Sequence, residues 1–322
     1  MVYVNKSTIL EVKNLKVYYK TVAGDAKVVD GVSLKVNEGE IFGIAGESGC
    51  GKSTLVEGIY RIIKPPGYIA GGKVLFRNID LLKLKEDEMR EIRWKKIAYI
   101  PQGAMSSLNP VLKVEEQVID AILDHTDMSR EKALEIAKEV LTDLGLPEEV
   151  LNMYPHELSG GMKQRVIIAT AYALRPELII TDEPVTALDV VSLREVLQTL
   201  AELRDKYKVT IILVAHDMAV HAEVDDRMAI MYAGKVVEIG DVNKIFEDPL
   251  HPYTRGLIES IPSIKKKKII KGIPGIASSP LNWPPGCRFH PRYPHANEKC
   301  RTEIPELKEI EPGRFVACHI YG

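Results

Sequence analysis

Gly46-Glu47-Ser48-Gly49-Cys50-Gly51-Lys52-Ser53-Thr54 follows the apolar run Ile41-Phe42-Gly43-Ile44-Ala45 and gives way to Leu55-Val56-Glu57-Gly58-Ile59, an order of strand, glycine-rich turn and helix. In that setting the glycines let successive backbone N–H groups turn inward around a phosphate at a helix N-terminus. Lys52 is placed to neutralise the β- and γ-phosphates and Ser53 to offer its hydroxyl to Mg²⁺. Thr54 opens the helix whose dipole favours the anion. Chance supplies such a match about once in a hundred chains of this size, so a nucleotide-binding loop over Gly46–Thr54 is the better reading than a flexible glycine turn.

Outward from this loop, short β-rich runs recur at Ile97–Ile100, Leu178–Thr181 and Val209–Val214, with helical patterns between them, which predicts an α/β sheet with many parallel strands. Leu178-Ile179-Ile180-Thr181 ends in Asp182-Glu183. A carboxylate at a strand's carboxyl end can hold Mg²⁺ through water, the role expected of Asp182, and Glu183 can orient the attacking water or take its proton. Alone, such an acidic strand end is commonly structural. From Val114 to Leu144, Val118, Ile119, Ile122, Ala133, Ile136, Ala137, Val140 and Leu141 recur at three- and four-residue spacing and predict a helical lobe. Tyr232 to Gly240 predicts a hairpin about Ala233-Gly234, followed by a short helix near Val242–Phe246. After Pro249 the density of prolines excludes long helices and predicts an extended tail.

Composition bounds the function. Lys and Arg total 43 against 45 Asp and Glu, so global charge favours neither nucleic acid nor an anionic membrane surface, and the run Lys265–Lys268 reads as a solvated loop. No stretch approaches the ~20 apolar residues of a membrane span, and Met1-Val2-Tyr3-Val4-Asn5-Lys6 lacks the order of a signal peptide, so a cytosolic chain is expected. Four cysteines, one inside the loop, do not make a disulfide scaffold.

Leu158-Ser159-Gly160-Gly161-Met162-Lys163-Gln164-Arg165 resembles the signature sequence of ATP-binding cassette (ABC) proteins. At a helix N-terminus, Ser159 and the N–H groups of Gly160 and Gly161 make a second anion site. The resemblance implies an α/β P-loop NTPase with a RecA-like core, an antiparallel β subdomain, a helical ABC subdomain and a loop-rich C-terminal extension. It also implies that one subunit's signature caps the γ-phosphate held by the other's loop, with ATP and Mg²⁺ between them. The remaining elements follow in the family's order: Gln102 as the glutamine that touches Mg²⁺ and water, Thr186-Ala187-Leu188-Asp189 as the interface loop, and His216 as the switch histidine on the γ-phosphate. Tyr19 is placed like the residue that stacks on adenine, with Tyr18 its close competitor.

The tail resembles the C-terminal extension of oligopeptide and dipeptide importer ATPases through His251-Pro252-Tyr253-Thr254-Arg255-Gly256-Leu257, Ile273-Pro274-Gly275 and Gly286-Cys287-Arg288-Phe289. Ser106-Ser107-Leu108-Asn109-Pro110 agrees, although Gly103-Ala104 stands where that subfamily often has Asp-Pro. The resemblance implies an ATPase domain over 1–248, with a helical lobe about 103–162, and an extension over 249–322. Its tail usually carries four cysteines and can hold an iron–sulfur cluster. Here Cys287, Cys300 and Cys318 match three positions and Tyr293 stands at the expected second one. A cluster or Zn²⁺ completed by His290, His295 or His319 and a set of three reduced thiols are both open readings.

The implied partners are a second ATPase subunit, identical or related, two transmembrane permease subunits and, indirectly, an external solute-binding protein, which places the chain at the cytoplasmic face of the membrane. A soluble cassette ATPase acting on DNA or the ribosome predicts a long coiled coil or two cassettes in one chain, and the sequence has neither. A redox sensor built on the tail fits poorly with the lost cysteine. The resemblance implies uptake of peptides as the first expectation for the cargo, with short oligosaccharides or nickel carried by similar systems, since the chain does not itself touch it.

Overall fold

The computed structural model describes residues 7–261 and 272–321; the first six residues and Lys265–Lys268 lie outside the described residues. The chain runs through β1 (Thr8–Thr21), β2 (Gly24–Asn37), β3 (Ile41–Ala45), α1 (Lys52–Tyr60), β4 (Gly67–Phe76), β5 (Ile79–Asp80) and α2 (Glu86–Ile92). It continues through β6 (Ile97–Ile100), α3 (Val114–Leu123), α4 (Arg130–Asp143), α5 (Gly160–Tyr172), β7 (Leu178–Asp182), α6 (Val190–Tyr207) and β8 (Thr210–Val214). Last come α7 (Met218–Val224), β9 (Arg227–Tyr232), β10 (Lys235–Asp241), α8 (Val242–Glu247), α9 (Pro252–Glu259), α10 (Glu298–Thr302), β11 (Lys308–Glu311) and β12 (Arg314–Val316). The described residues divide into two compact units, one within Met1–Asn37, Phe42–Lys83 and Ala215–Gly322, the other within Glu38–Ile41 and Leu84–Val214.

In the first unit an antiparallel sheet is ordered β2-β1-β4-β5. Strand β1 buries Leu10, Val12, Leu15 and Val17, a period-two pattern that slips by one between Val12 and Leu15, where its register with β2 shifts as a bulge requires. Strand β3 is buried along its whole length and lies parallel to β9, so it reads as one apolar run without alternation. The β9–β10 hairpin turns at Ala233 and Gly234, with φ of 49° and 77°, the paired positive values of a type I′ turn.

The tail is more structured than its prolines suggest. Pro252 occupies the first turn of α9, where no intrahelical N–H is needed, and His251 Nδ1 caps the helix by accepting the Tyr253 N–H at 3.0 Å. Burial holds the His251 imidazole down to about 3, which keeps that nitrogen an acceptor. Strand β12 pairs antiparallel with β10 through Glu238–Val316 and Ile239–Phe315, and β11 pairs with β12.

In the second unit β6, β7 and β8 are parallel, ordered β8-β7-β6, and every residue of β7 and β8 is buried. Helices α3, α4 and α5 pack on one another. Val118, Ile119, Ile122, Ala133, Ala137, Val140 and Leu141 are buried there, while Ile136 stays half-buried. No helix among the described residues is long and apolar enough to cross a membrane.

Candidate functional site

The phosphate loop belongs to the first unit. At Gly46 (φ 150°) a Cβ would stand 2.2 Å from the Met231 carbonyl oxygen, and at Gly51 (φ 104°) 2.7 Å from that of Val28, so backbone packs where a side chain would be. Helix α1 starts at Lys52 with no side chain capping it and no acid in its first turn, which leaves its leading N–H groups and its dipole to an anion. Lys52 is buried, and its ammonium donates to the carbonyls of Gly46 at 2.8 Å and Glu47 at 3.2 Å, holding the loop wrapped with one donor to spare. Ser53 and Thr54 are half-buried on the first turn, and Ser48 and Gly49 are exposed. Burial pushes the Cys50 thiol up, which makes it an unreactive filler. The arrangement fits a triphosphate.

Two tail residues that the sequence did not single out for this loop hold Glu47. Its N–H donates to the Tyr253 hydroxyl at 2.8 Å, and its carboxylate takes a two-point grip from Arg292 at 2.7 and 2.9 Å. On β1, Tyr18 is committed, its hydroxyl bonding Asp30 at 2.7 Å and its ring set edge-on to Tyr68. Tyr19, half-buried beside it, has Gly67 close against its ring edge, where a Cβ would come within 2.7 Å.

His216 is exposed. The residue before it, Ala215, presents its carbonyl oxygen 3.2 Å from Nε2 of the buried His221, whose Nδ1 lies 2.7 Å from Asp225 Oδ2. Burial opposes a charge there, but the Asp225 carboxylate outweighs it and raises the His221 pKa, and two facing acceptors fit a doubly protonated ring. Gly43 in β3 makes the room, since a Cβ would stand 1.7 Å from that same Oδ2.

The carboxylates Asp182 and Glu183 belong to the second unit. Asp182 is buried at the end of β7. Glu183 follows in a left-handed conformation (φ 49°), with its N–H tied to Val214 O at 2.9 Å. Its Oε2 accepts from Gln102 Nε2 at 2.9 Å and from Thr186 Oγ1 at 3.0 Å, so three residues predicted from separate motifs meet. Thr186 in this role was not legible beforehand.

The Ser159 hydroxyl oxygen caps α5 by accepting the Met162 N–H at 3.2 Å. The glycines behind it have a packing reason besides anion binding. A Cβ at Gly160 would meet Leu188 Cδ2 at 3.1 Å and one at Gly161 would meet Ser192 Cβ at 3.0 Å. Asp189 caps α6, accepting the N–H groups of Val191 and Ser192 at 3.0 Å each, and these bonds hold its carboxyl below the usual range.

Of the two open readings of Cys287, Cys300 and Cys318, the structure gives no support to a cluster or Zn²⁺. Among the described residues no three His, Cys, Asp or Glu side chains gather where they could hold an ion. Tyr293, at the place of the expected second cysteine, stacks on Phe289 at 6.1 Å and sets its ring against His295. His290 Nδ1 lies 3.0 Å from the Cys287 carbonyl and His319 Nε2 2.8 Å from that of Glu303. Burial pushes the Cys287 thiol up to about 11, and the nearby Cys318 and Cys300 add to that rise.

Two family models match, ABC transporter over residues 29–186 and the oligopeptide/dipeptide transporter C-terminal region over residues 237–300. The dipeptide transport ATP-binding protein DppD of Caldanaerobacter subterraneus is 46% identical over 98% of both chains. The oligopeptide transport ATP-binding protein AppF of Bacillus subtilis is 39% identical over the full length of both. Among solved structures, the dimeric ATP-binding cassette MJ0796 in a post-hydrolysis state with ADP and phosphate aligns with a TM-score of 0.64 at 32% identity, covering 72% of this chain and 98% of that one. The cassette cbiO1 of Clostridium perfringens aligns with a TM-score of 0.65 at 26% identity, covering 76% and 92%.

Proposed function

This chain belongs to the ABC transporter family as an ATP-hydrolysing P-loop cassette, and from that premise we propose that it powers uptake of short peptides across the cytoplasmic membrane. The reading is carried by the oligopeptide/dipeptide region at residues 237–300 standing in one chain with the phosphate loop. Relatives that match along 98% or more of the chain are named as dipeptide and oligopeptide transport proteins, which supports peptides over oligosaccharide or nickel. Two cassettes, identical or related, work on two permease subunits at the cytoplasmic face, fed by an external solute-binding protein. We divide the chain into a cassette over 1–248, with a lobe about 103–162, and an extension over 249–322.

In the reaction Lys52 and the N–H groups of Gly46–Thr54 bind the triphosphate, and Tyr19 stacks on the adenine. Ser53, Gln102 and Asp182 would hold Mg²⁺, which when bound screens the charge on the β- and γ-oxygens. Glu183 accepts a proton from the attacking water while Gln102 orients it and His216 steadies the γ-phosphate. Ser159, Gly160 and Gly161 close on the γ-phosphate of the partner cassette, and Asp189 lines that interface. Three reduced thiols are the reading we adopt for Cys287, Cys300 and Cys318.

Reconstitution with the permease subunits and the solute-binding protein tests the transport reading. ATP-dependent accumulation of a labelled di- or oligopeptide, absent with Glu183→Gln, is expected. Accumulation of nickel or oligosaccharide and not of peptide would sink it.

A further inference from the structure

The tail reaches back onto the nucleotide loop at a point where charge matters. Glu47, second in the loop, carries a negative charge within the segment read as the binding loop of a polyanionic triphosphate, and the Lys52 ammonium rests 3.2 Å from its carbonyl oxygen. Arg292 covers that carboxylate with two parallel bonds, Nη1 to Oε2 at 2.7 Å and Nη2 to Oε1 at 2.9 Å. Its side chain is 5% exposed against 30% for Glu47, so the pair is shielded from the solvent that weakens surface ion pairs. Every other donor of the guanidinium is anchored to the same unit: Nε to Pro274 O at 2.8 Å, Nη2 to Ile273 O at 3.3 Å and Nη1 to the Tyr232 hydroxyl at 3.4 Å. A fork held at both ends fixes the carboxylate in position as well as cancelling it.

We propose that Arg292 is a positioning residue for ATP: it neutralises and immobilises Glu47 inside the phosphate loop, which makes the C-terminal extension a working part of the nucleotide site. The hydrogen bond from the Glu47 N–H to Tyr253 is the backbone counterpart of this hold, and Tyr253 is in turn packed by Tyr232 at 4.5 Å and Phe289 at 5.5 Å between ring centres. A second tail arginine grips the neighbouring strands in the same way. Arg288 pairs with Asp30 and the Ala233 carbonyl and lies over the Trp283 ring at 4.6 Å, and the Trp283 indole donates to Lys27 O at 2.9 Å. A staple that merely fastens the tail would act alike whatever charge Glu47 carried. A charge-cancelling residue would not.

The inference rests on Gly46–Thr54 being the ATP site, so nucleotide binding by the unmodified chain is the control whose failure would count against the proposed function and not against Arg292. Nucleotide affinity is measured by titration with a fluorescent ATP analogue in the full chain. Arg292→Met should raise Kd about tenfold, equivalent to about 1.4 kcal/mol, and raise KM while kcat stays within about twofold. Adding Glu47→Gln to Arg292→Met should bring Kd back to within about threefold of the unmodified chain, because the charge that needed cancelling is gone. Arg292→Lys, which keeps a cation and loses the fork, should fall between. A Kd for Arg292→Met within twofold of the unmodified chain, or a double variant as weak as Arg292→Met, would overturn the proposal. If Arg292→Met does not fold, Glu47→Gln alone decides: tighter nucleotide binding supports it and weaker binding overturns it.

Discussion

Gln102 and Thr186 share one oxygen of Glu183: the amide nitrogen donates to Oε2 at 2.9 Å and the hydroxyl at 3.0 Å. Two donors on one carboxylate oxygen prevent the side chain from swinging away, on a residue whose positive φ already limits where it can point. A hydrogen bond to a charged group is worth about 1.5–3 kcal/mol. Gln102→Ala should therefore lower kcat by about tenfold or more, and Thr186→Ala by less, with steady-state turnover at saturating Mg-ATP as the readout. Unchanged kcat in both variants would show that the carboxylate needs no such support.

The buried His221–Asp225 pair predicts a pH-dependent stability. The folded state raises the His221 pKa, so the pair's contribution is whole below the ordinary histidine value of about 6.5 and is shed as pH rises through the higher folded value. Urea midpoints should fall across that alkaline limb, and Asp225→Asn should flatten it. His221→Leu removes the cationic partner of a buried carboxylate and should cost roughly 3–5 kcal/mol at neutral pH.

The tail thiols should behave as cysteines without a metal. Burial holds Cys287 up to about 11, so its alkylation at pH 8 should be slow and should accelerate toward pH 10. Anaerobically purified chain should carry well under one equivalent of iron or zinc. A stoichiometric metal, with all three thiols protected from alkylation, would contradict this.

What was legible in the sequence was local. The loop, the strand ending in Asp182-Glu183 and the helical periodicity of the lobe each sit within a few turns of chain, where backbone geometry follows from residue type. Tyr253 and Arg292 lie 206 and 245 positions beyond Glu47, and nothing in a phosphate-loop pattern says which distant arginine will close on it. Gly161 was readable as an anion donor but not as the place where Ser192 packs within contact distance of α5. The three cysteines left a metal and three reduced thiols equally open, because spacing along a chain does not say whether distant thiols and histidines gather into a ligand set; Tyr293, already visible in place of the second cysteine, stacks on Phe289.

Lys52 and Glu183 should separate binding from chemistry. Lys52 supplies charge that the ground-state triphosphate already requires, and its ammonium also ties the carbonyls of Gly46 and Glu47 together. Lys52→Ala should therefore raise the nucleotide Kd and depress turnover in the same variant. Glu183 matters once water attacks, when a carboxylate takes its proton or holds it in line with the β–γ bond, and general-base contributions of roughly 10²–10⁴-fold are typical. Glu183→Gln should lose about that much turnover while binding ATP at least as tightly, because it also removes a negative charge from the site. With hydrolysis blocked, Mg-ATP should hold cassettes together through Ser159 and Gly161, and light scattering should register a dimer that Lys52→Ala does not form. A Glu183→Gln variant that turns over ATP near the unmodified rate would remove Glu183 from the chemistry. One that stays monomeric while saturated with Mg-ATP would show that the cassette pairs with a different chain.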